Sequence, residues 1–152
     1  MGPREKVETL SIPPLPTHLR LQIVSADRSL VNEQVDEVQL PGAEGYLGVL
    51  PGHTPLLTTL AVGQMWYRQG AEHRYLAIAF GFAEVQPDRV TVLAQIAERA
   101  DEIDPARAEA AKKRAEERLV KPTADMDFER ARIALLKSLA RLQVASRARI
   151  RS

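Results

Sequence analysis

At 152 residues, 45% hydrophobic and 27% charged, the chain has the length and apolar content of one folded domain, or of a compact domain with a small appendage. It contains no cysteine, no run of eighteen apolar residues and no hydrophobic signal core near its start, so disulfides, thiolate chemistry, a membrane span and export are not expected, and a reducing compartment fits. The net charge of +1 argues against a protein-wide nucleic-acid footprint, although Lys137, Arg141, Arg147, Arg149 and Arg151 gather within residues 137–152 with no acid among them.

Residues Met1 to Thr17 mix charges with Pro13, Pro14 and Pro16, a composition that resists regular structure and predicts a flexible arm over residues 1–17. From Leu19 to Ala94 the pattern becomes short alternating segments: "LRLQIVS", "VDEVQL", "YLGVL", "LLTTLAV", "QMWYRQG", "HRYLAIAF", "FAEVQ" and "RVTVLAQ". Leu19, Leu21 and Ile23 share one face of the first, and Val90, Val92 and Ala94 share one face of the last, as a period of two requires. The separators "VGQ", "QGAE" and "QPD" place glycine or proline where the chain is expected to reverse, and strands so short and regular predict a sandwich or small barrel.

Beyond Glu98 the period lengthens. Asp104 before Pro105 is an N-cap followed by a first helical residue: the carboxylate accepts orphan backbone amides, and proline loses only an amide that had no partner. The helix runs to about Val120, "KPTAD" makes a turn because Pro122 disfavours helix at the residue before it, and a second helix covers roughly Met126 to Arg147. Its expected inward stripe is Phe128, Ala131, Leu135, Leu139, Leu142 and Ala145. The first helix offers only Ala108, Ala111, Ala115 and Leu119. A buried methyl-sized group is worth roughly 0.8 kcal/mol against about 1.5–3 kcal/mol for a leucine, so this seam is weak, while alanine keeps each helix intrinsically stable. The expected class is α+β, mainly β: an antiparallel β-sandwich over residues 18–98 and an antiparallel two-helix hairpin over residues 99–152.

Chemistry is harder to find. Gly42, Gly45 and Gly48 in "PGAEGYLGVLPG" are not followed by a phosphate-binding lysine with serine or threonine and read as turn glycines. No G-x-S-x-G elbow and no H-E-x-x-H occur, and His18, His53 and His73 are too scattered for a metal cage, so no catalytic residue, metal site or required cofactor is expected. His53 in "PGHTP" is either a partner contact or the cap of its own loop. Trp66 and Tyr67 must point to opposite faces of a strand, one filling the core and the other free for an interface. Arg107 and Arg114, nearly two turns apart, project from one side of their helix. The alternative function is a small nucleic-acid-binding module using the basic C-terminal end.

The ordered stretches "EGYLGVLPGHTPLLTTLAVG", "GFAEVQPDRVTVLA" and "IDPARAEAAKKRAEERL" strongly resemble the epsilon subunit of bacterial and chloroplast F-type ATP synthases, a likeness covering about Leu19 to Arg147. The resemblance implies a non-catalytic rotor subunit whose sandwich holds the gamma subunit and the c-ring, and whose hairpin, released toward the alpha/beta catalytic head, inhibits ATP hydrolysis. Arg130, Arg132, Lys137 and Arg141 are then candidates for contact with an acidic segment of a beta subunit, and Tyr46 and His53 for contacts with gamma or the c-ring. It further implies possible regulatory ATP binding through an I/L-D-x-x-R-A motif, met by Ile103, Asp104, Arg107 and Ala108, with Glu98, Arg114 and Arg141 at the other ligand positions. Lys137 stands where an arginine is expected; it offers phosphate a point charge in place of a two-pronged grip. The implied location is peripheral, at the cytoplasmic face of the bacterial plasma membrane or the stromal face of a thylakoid, with no direct membrane insertion.

Overall fold

The structure, a computed structural model, describes residues 14–121 and 125–150, the side chains of residues 125, 126, 149 and 150 excepted. The expected arm lies outside the described residues except for 14–17, as do most of the "KPTAD" turn and the side chains of Arg149 and Arg151. Seven strands come first: β1 Leu19–Val24, β2 Ser29–Val35, β3 Glu37–Gly42, β4 Gly45–Val49, β5 Leu56–Gln69, β6 Glu72–Gln86 and β7 Arg89–Arg99. A 3-10 turn, Ala100–Glu102, leads to helices α1, Pro105–Val120, and α2, Asp125–Ile150. The sheet order is β2-β1-β7-β6-β5-β3-β4, antiparallel throughout except that β1 and β7 run parallel.

This one sheet makes a two-layered sandwich by curling. Leu21 and Val35 near one edge and Val38, Leu40 and Val49 near the other belong to the same apolar core. The Gln69 amide of β5 donates to Glu33 and to the Gln34 carbonyl of β2, although three strands separate β5 from β2 in the sheet order.

The curl has a specific origin in the long strands. In β6 the core side chains are Leu76 and Ile78 on even positions, then Ala83 and Val85 on odd ones. The same switch runs from Leu60 to Met65 and Tyr67 in β5 and from Ala94 to Ala97 in β7. At that level Phe80 has φ 62° and Gly81 φ 119°, both outside the strand region, and the pairing skips from Ala79 to Gly81 on both flanks before resuming in unchanged register. A side chain that pointed inward below the kink therefore points outward above it. The reversal expected at "VGQ" is corrected accordingly, as is the division of "HRYLAIAF" from "FAEVQ": Gly63 and Gly81 lie within continuous strands, and the chain there changes face, not direction. β2 was also hidden, because Asn32, Glu33 and Gln34 are all exposed on this edge strand and erase the alternation.

Asp104 caps α1 as expected, accepting the Ala106 and Arg107 amides at 3.0 and 3.2 Å. α1 packs on α2, and α2 in turn on β5 and β6. Ala108 and Ala115 are the buried residues of α1, with Ala111 and Leu119 half-buried. The stripe expected on α2 needs correction: Ala131 and Ala145 are buried, but Phe128 and Leu139 are exposed, and Ser138, Ala140 and Val144 are buried in their place. Leu135 and Leu142 of that stripe are half-buried. α2 is flanked by α1 on one side and by β5 and β6 on the other, so its fully buried positions are small residues. Ala140, Val144 and Ala145 meet Ala77 of β6 and Ile103 of the linker in a second, smaller core.

Candidate functional site

The linker from β7 to α1 is clamped before the site is formed. Arg28 grips Glu102 with two hydrogen bonds, Nη1 to Oε2 at 2.5 Å and Nη2 to Oε1 at 2.9 Å, and the Arg99 amide donates to the same carboxylate at 2.8 Å. The bond from Arg28, more than the Arg99 amide, holds the Glu102 carboxyl at about 2, down from 4.5. A carboxylate so depressed contributes stability above its ordinary value and loses it as pH falls toward the folded one. Glu102→Gln is expected to cost about 1–2 kcal/mol at neutral pH, the pair being partly exposed. The gap in thermal midpoint between the two proteins should then close between pH 4.5 and 2; a gap independent of pH would remove the clamp.

Just beyond the clamp, a cavity of about 410 Å³ opens between the end of β7, the linker, the start of α1 and α2. Its walls bring together seven residues expected from sequence, Glu98, Ile103, Asp104, Arg107, Ala108, Arg114 and Arg141, and add Glu102 and Ala111. Each carboxylate in the wall is already occupied: Glu98 accepts from Arg141 Nε at 2.6 Å, Glu102 from Arg28, and Asp104 from the α1 amides. The guanidiniums of Arg107 and Arg114 make no hydrogen bond or ion pair among the described residues, so two free cations face a cavity whose acids are satisfied. Such a site suits a multiply charged anion. Glu102 was missed because its role comes from Arg28, far away in sequence.

Lys137 does not line this cavity. Its Nζ lies 5.9 Å from the centroid of the Phe80 ring, within reach of a cation–π contact, and it borders a smaller crevice together with Arg141 and Ala140. The positive-φ residue of the kink is thus the one that α2 rests a cation upon. Gln64 of β5, 6% exposed, pairs across the ladder with Ala77, which packs against α2, and so sits on the sheet face that α2 covers. Its Oε1 has no hydrogen-bond partner among the described residues, which costs about 1–3 kcal/mol while α2 is docked.

Of the basic candidates for partner contact, Arg130 is exposed, Arg132 is paired with Glu129 three residues before it at 2.6 Å, and Arg141 is held by Glu98. Tyr46 is exposed on β4, and His53 Nδ1 lies 2.7 Å from the Thr54 carbonyl, a bond within its own loop. Tyr67 is the core filler, whereas Trp66 is half-buried on the α2 side and meets His73 edge-on at 4.9 Å between ring centroids. Sequence periodicity overlooked an exposed apolar patch, Leu57, Phe82 and Leu93 on adjacent strands, because the change of face at Gly81 was invisible.

Comparison with known proteins gives a consistent answer along the chain. Residues 18–100 match the family model described as ATP synthase, Delta/Epsilon chain, beta-sandwich domain, and residues 101–146 match the long alpha-helix domain of the same chain. The ATP synthase epsilon chain 2 of Syntrophotalea carbinolica is 49% identical over 130 residues, 85% of this chain and 94% of that one. The ATP synthase epsilon chain of Koribacter versatilis is 55% identical over 98 residues, 64% and 69% of the two chains. In fold, the chain is similar to one in the cryo-EM structure of the Euglena gracilis mitochondrial ATP synthase, with a TM-score of 0.77, 23% identity and coverage of 95% and 96%.

Proposed function

The chain belongs to the ATP synthase delta/epsilon family, among its epsilon chains, and from that premise we propose that it is a non-catalytic regulatory subunit of the rotor. Its sandwich holds the gamma subunit and the c-ring, and its hairpin restrains ATP hydrolysis when released. ATP is the anion of the cavity between hairpin and sheet.

The observation that carries this reading is that the cavity has walls from both the sheet end and the hairpin, with Arg107 and Arg114 facing it. A ligand there binds only the docked form and so holds the hairpin down. Two further features support release: the seam of α1 is alanine, and the buried Gln64 carbonyl, on the sheet face that α2 covers, has no partner among the described residues. Against them stand the Arg141–Glu98 hydrogen bond and the Lys137–Phe80 contact, which undocking would break, freeing both cations for a partner. The outward line of Phe128, Arg132, Leu136 and Leu139 on α2 fits a partner surface for the released helix. The patch of Leu57, Phe82 and Leu93 fits one for the sandwich. The corresponding location is peripheral, at the cytoplasmic membrane face; no helix among the described residues is long and apolar enough to cross a membrane.

Removing everything after Asp101 is expected to leave a folded sandwich that copurifies with gamma and no longer restrains hydrolysis by the assembled enzyme. Hydrolysis restrained as before by the shortened chain would take the switch away from the hairpin.

A further inference from the structure

A second cavity, also about 410 Å³, shares no lining residue with the first and opens where β7 stops. Arg99, the last residue of β7, pairs with Leu76 of β6, so Arg74 and Tyr75 have no β7 neighbour and the space beside them is left open. Three guanidiniums line it, Arg74, Arg99 and Arg147, together with the rings of Tyr67 and Tyr75. Two carboxylates, Glu33 and Asp101, also border it, and Glu33 accepts a bond from the Gln69 amide at 3.1 Å.

The cations are positioned but not spent. Arg99 donates to the Leu30 carbonyl, and Arg74 is 3.2 Å from Glu72. Arg147 lies over the Tyr75 ring at 5.1 Å. Each guanidinium carries five N–H donors, so most remain for a ligand. Tyr67, whose phenol burial holds protonated, adds an aromatic wall in the core. Size, aromatic lining and three guanidiniums with donors to spare together select a small planar body bearing an oxyanion group.

We propose that this cavity is a second ligand site, for an aromatic oxyanion such as an aryl phosphomonoester or an aryl carboxylate. Arg147 and Ala148 come from α2, so an occupant adds a tie between the sheet and the end of the hairpin. The binding itself does not depend on the hairpin moving; its regulatory consequence rests on the function proposed above. The two sites would then act on one helix at different positions, one at Arg141 and one at Arg147 and Ala148.

The test uses the full chain and phenyl phosphate as the probe, with benzoate as the carboxylate arm and phenol and inorganic phosphate as the two halves. Calorimetry should show saturable binding of phenyl phosphate at millimolar concentration, with each half at least about tenfold weaker. Chemical-shift changes should centre on Tyr75 and Ala148. Arg147→Gln and Arg74→Gln, checked for unchanged melting, should each weaken binding by about tenfold, and Arg107→Ala, in the first cavity, should leave it unchanged. Absence of saturation with either aryl anion, or binding that Arg107→Ala removes and Arg147→Gln does not, overturns the site. Either result would leave the hairpin switch standing, because that is read by hydrolysis in the assembled enzyme.

Discussion

Gly81→Ala should lower the thermal midpoint by about 10 °C or more, the largest effect expected of any single methyl group in this chain. An added Cβ would stand 2.1 Å from the Leu93 carbonyl oxygen and 2.9 Å from Ala94 Cα, both backbone atoms of the paired strand that have no rotamer to retreat into. The backbone at φ 119° is in addition a conformation that L side chains rarely adopt. Strain of that kind costs about 1–3 kcal/mol and overpacking about as much again. The sum is a large part of the stability of an ordinary domain, about 5–15 kcal/mol, and at roughly 3 °C per kcal/mol for a chain of this length it gives the expected fall. The neighbour that kinks with it gives the control: Phe80→Gly should relieve the positive φ and lose the ring under Lys137, a smaller net change. A melting curve of Gly81→Ala within about 2 °C of the parent would mean that the ladder can re-pair without the kink, and the account of how one sheet becomes two layers would fail.

The same kink explains what was legible in the sequence and what was not. Local signals read true where the decisive interaction is local: Asp104 and Pro105 announce the start of α1 because cap and amides lie within three residues. Leu19, Leu21 and Ile23 announce an inward face because nothing interrupts their strand. β5 and β6 each looked like two strands because alternation was broken in the middle, and a break of phase reads the same whether the chain turns back or merely twists over. The stripe on α2 failed for a related reason. Periodicity identifies apolar residues at helical spacing but does not say how near the neighbours come, and the fully buried residues of α2 are alanine, valine and serine, with Leu135 and Leu142 only half-buried. Seven residues of the first cavity were available through family resemblance; geometry alone adds Glu102 and Ala111 to its wall and takes Lys137 out of it, over Phe80.

ATP titrated into the isolated chain should give a saturable heat that Arg107→Ala abolishes at millimolar ATP, while Lys137→Ala weakens it far less. Arg107 is an unengaged guanidinium lining the cavity, and losing it removes a charge-assisted grip on phosphate; Lys137 is committed elsewhere. The linkage then follows from magnitude. ATP at a hundred times its dissociation constant adds about 2.7 kcal/mol to the docked form, the same size as an alanine seam worth a few kcal/mol and as the penalty of about 1–3 kcal/mol at Gln64. No one of these terms overwhelms the others, which is the condition for a ligand to decide the position of the helices. Gln64→Leu shifts the balance without touching the cavity: it removes the orphan carbonyl, favours docking by roughly tenfold, and should weaken inhibition of hydrolysis at low ATP. The substitution can raise the apparent ATP affinity only to the extent that the undocked form was populated, so the two readings together measure that population. Equal inhibition by parent and Gln64→Leu, with ATP binding unaffected by Arg107→Ala, would separate both the nucleotide and the docking equilibrium from control of the enzyme.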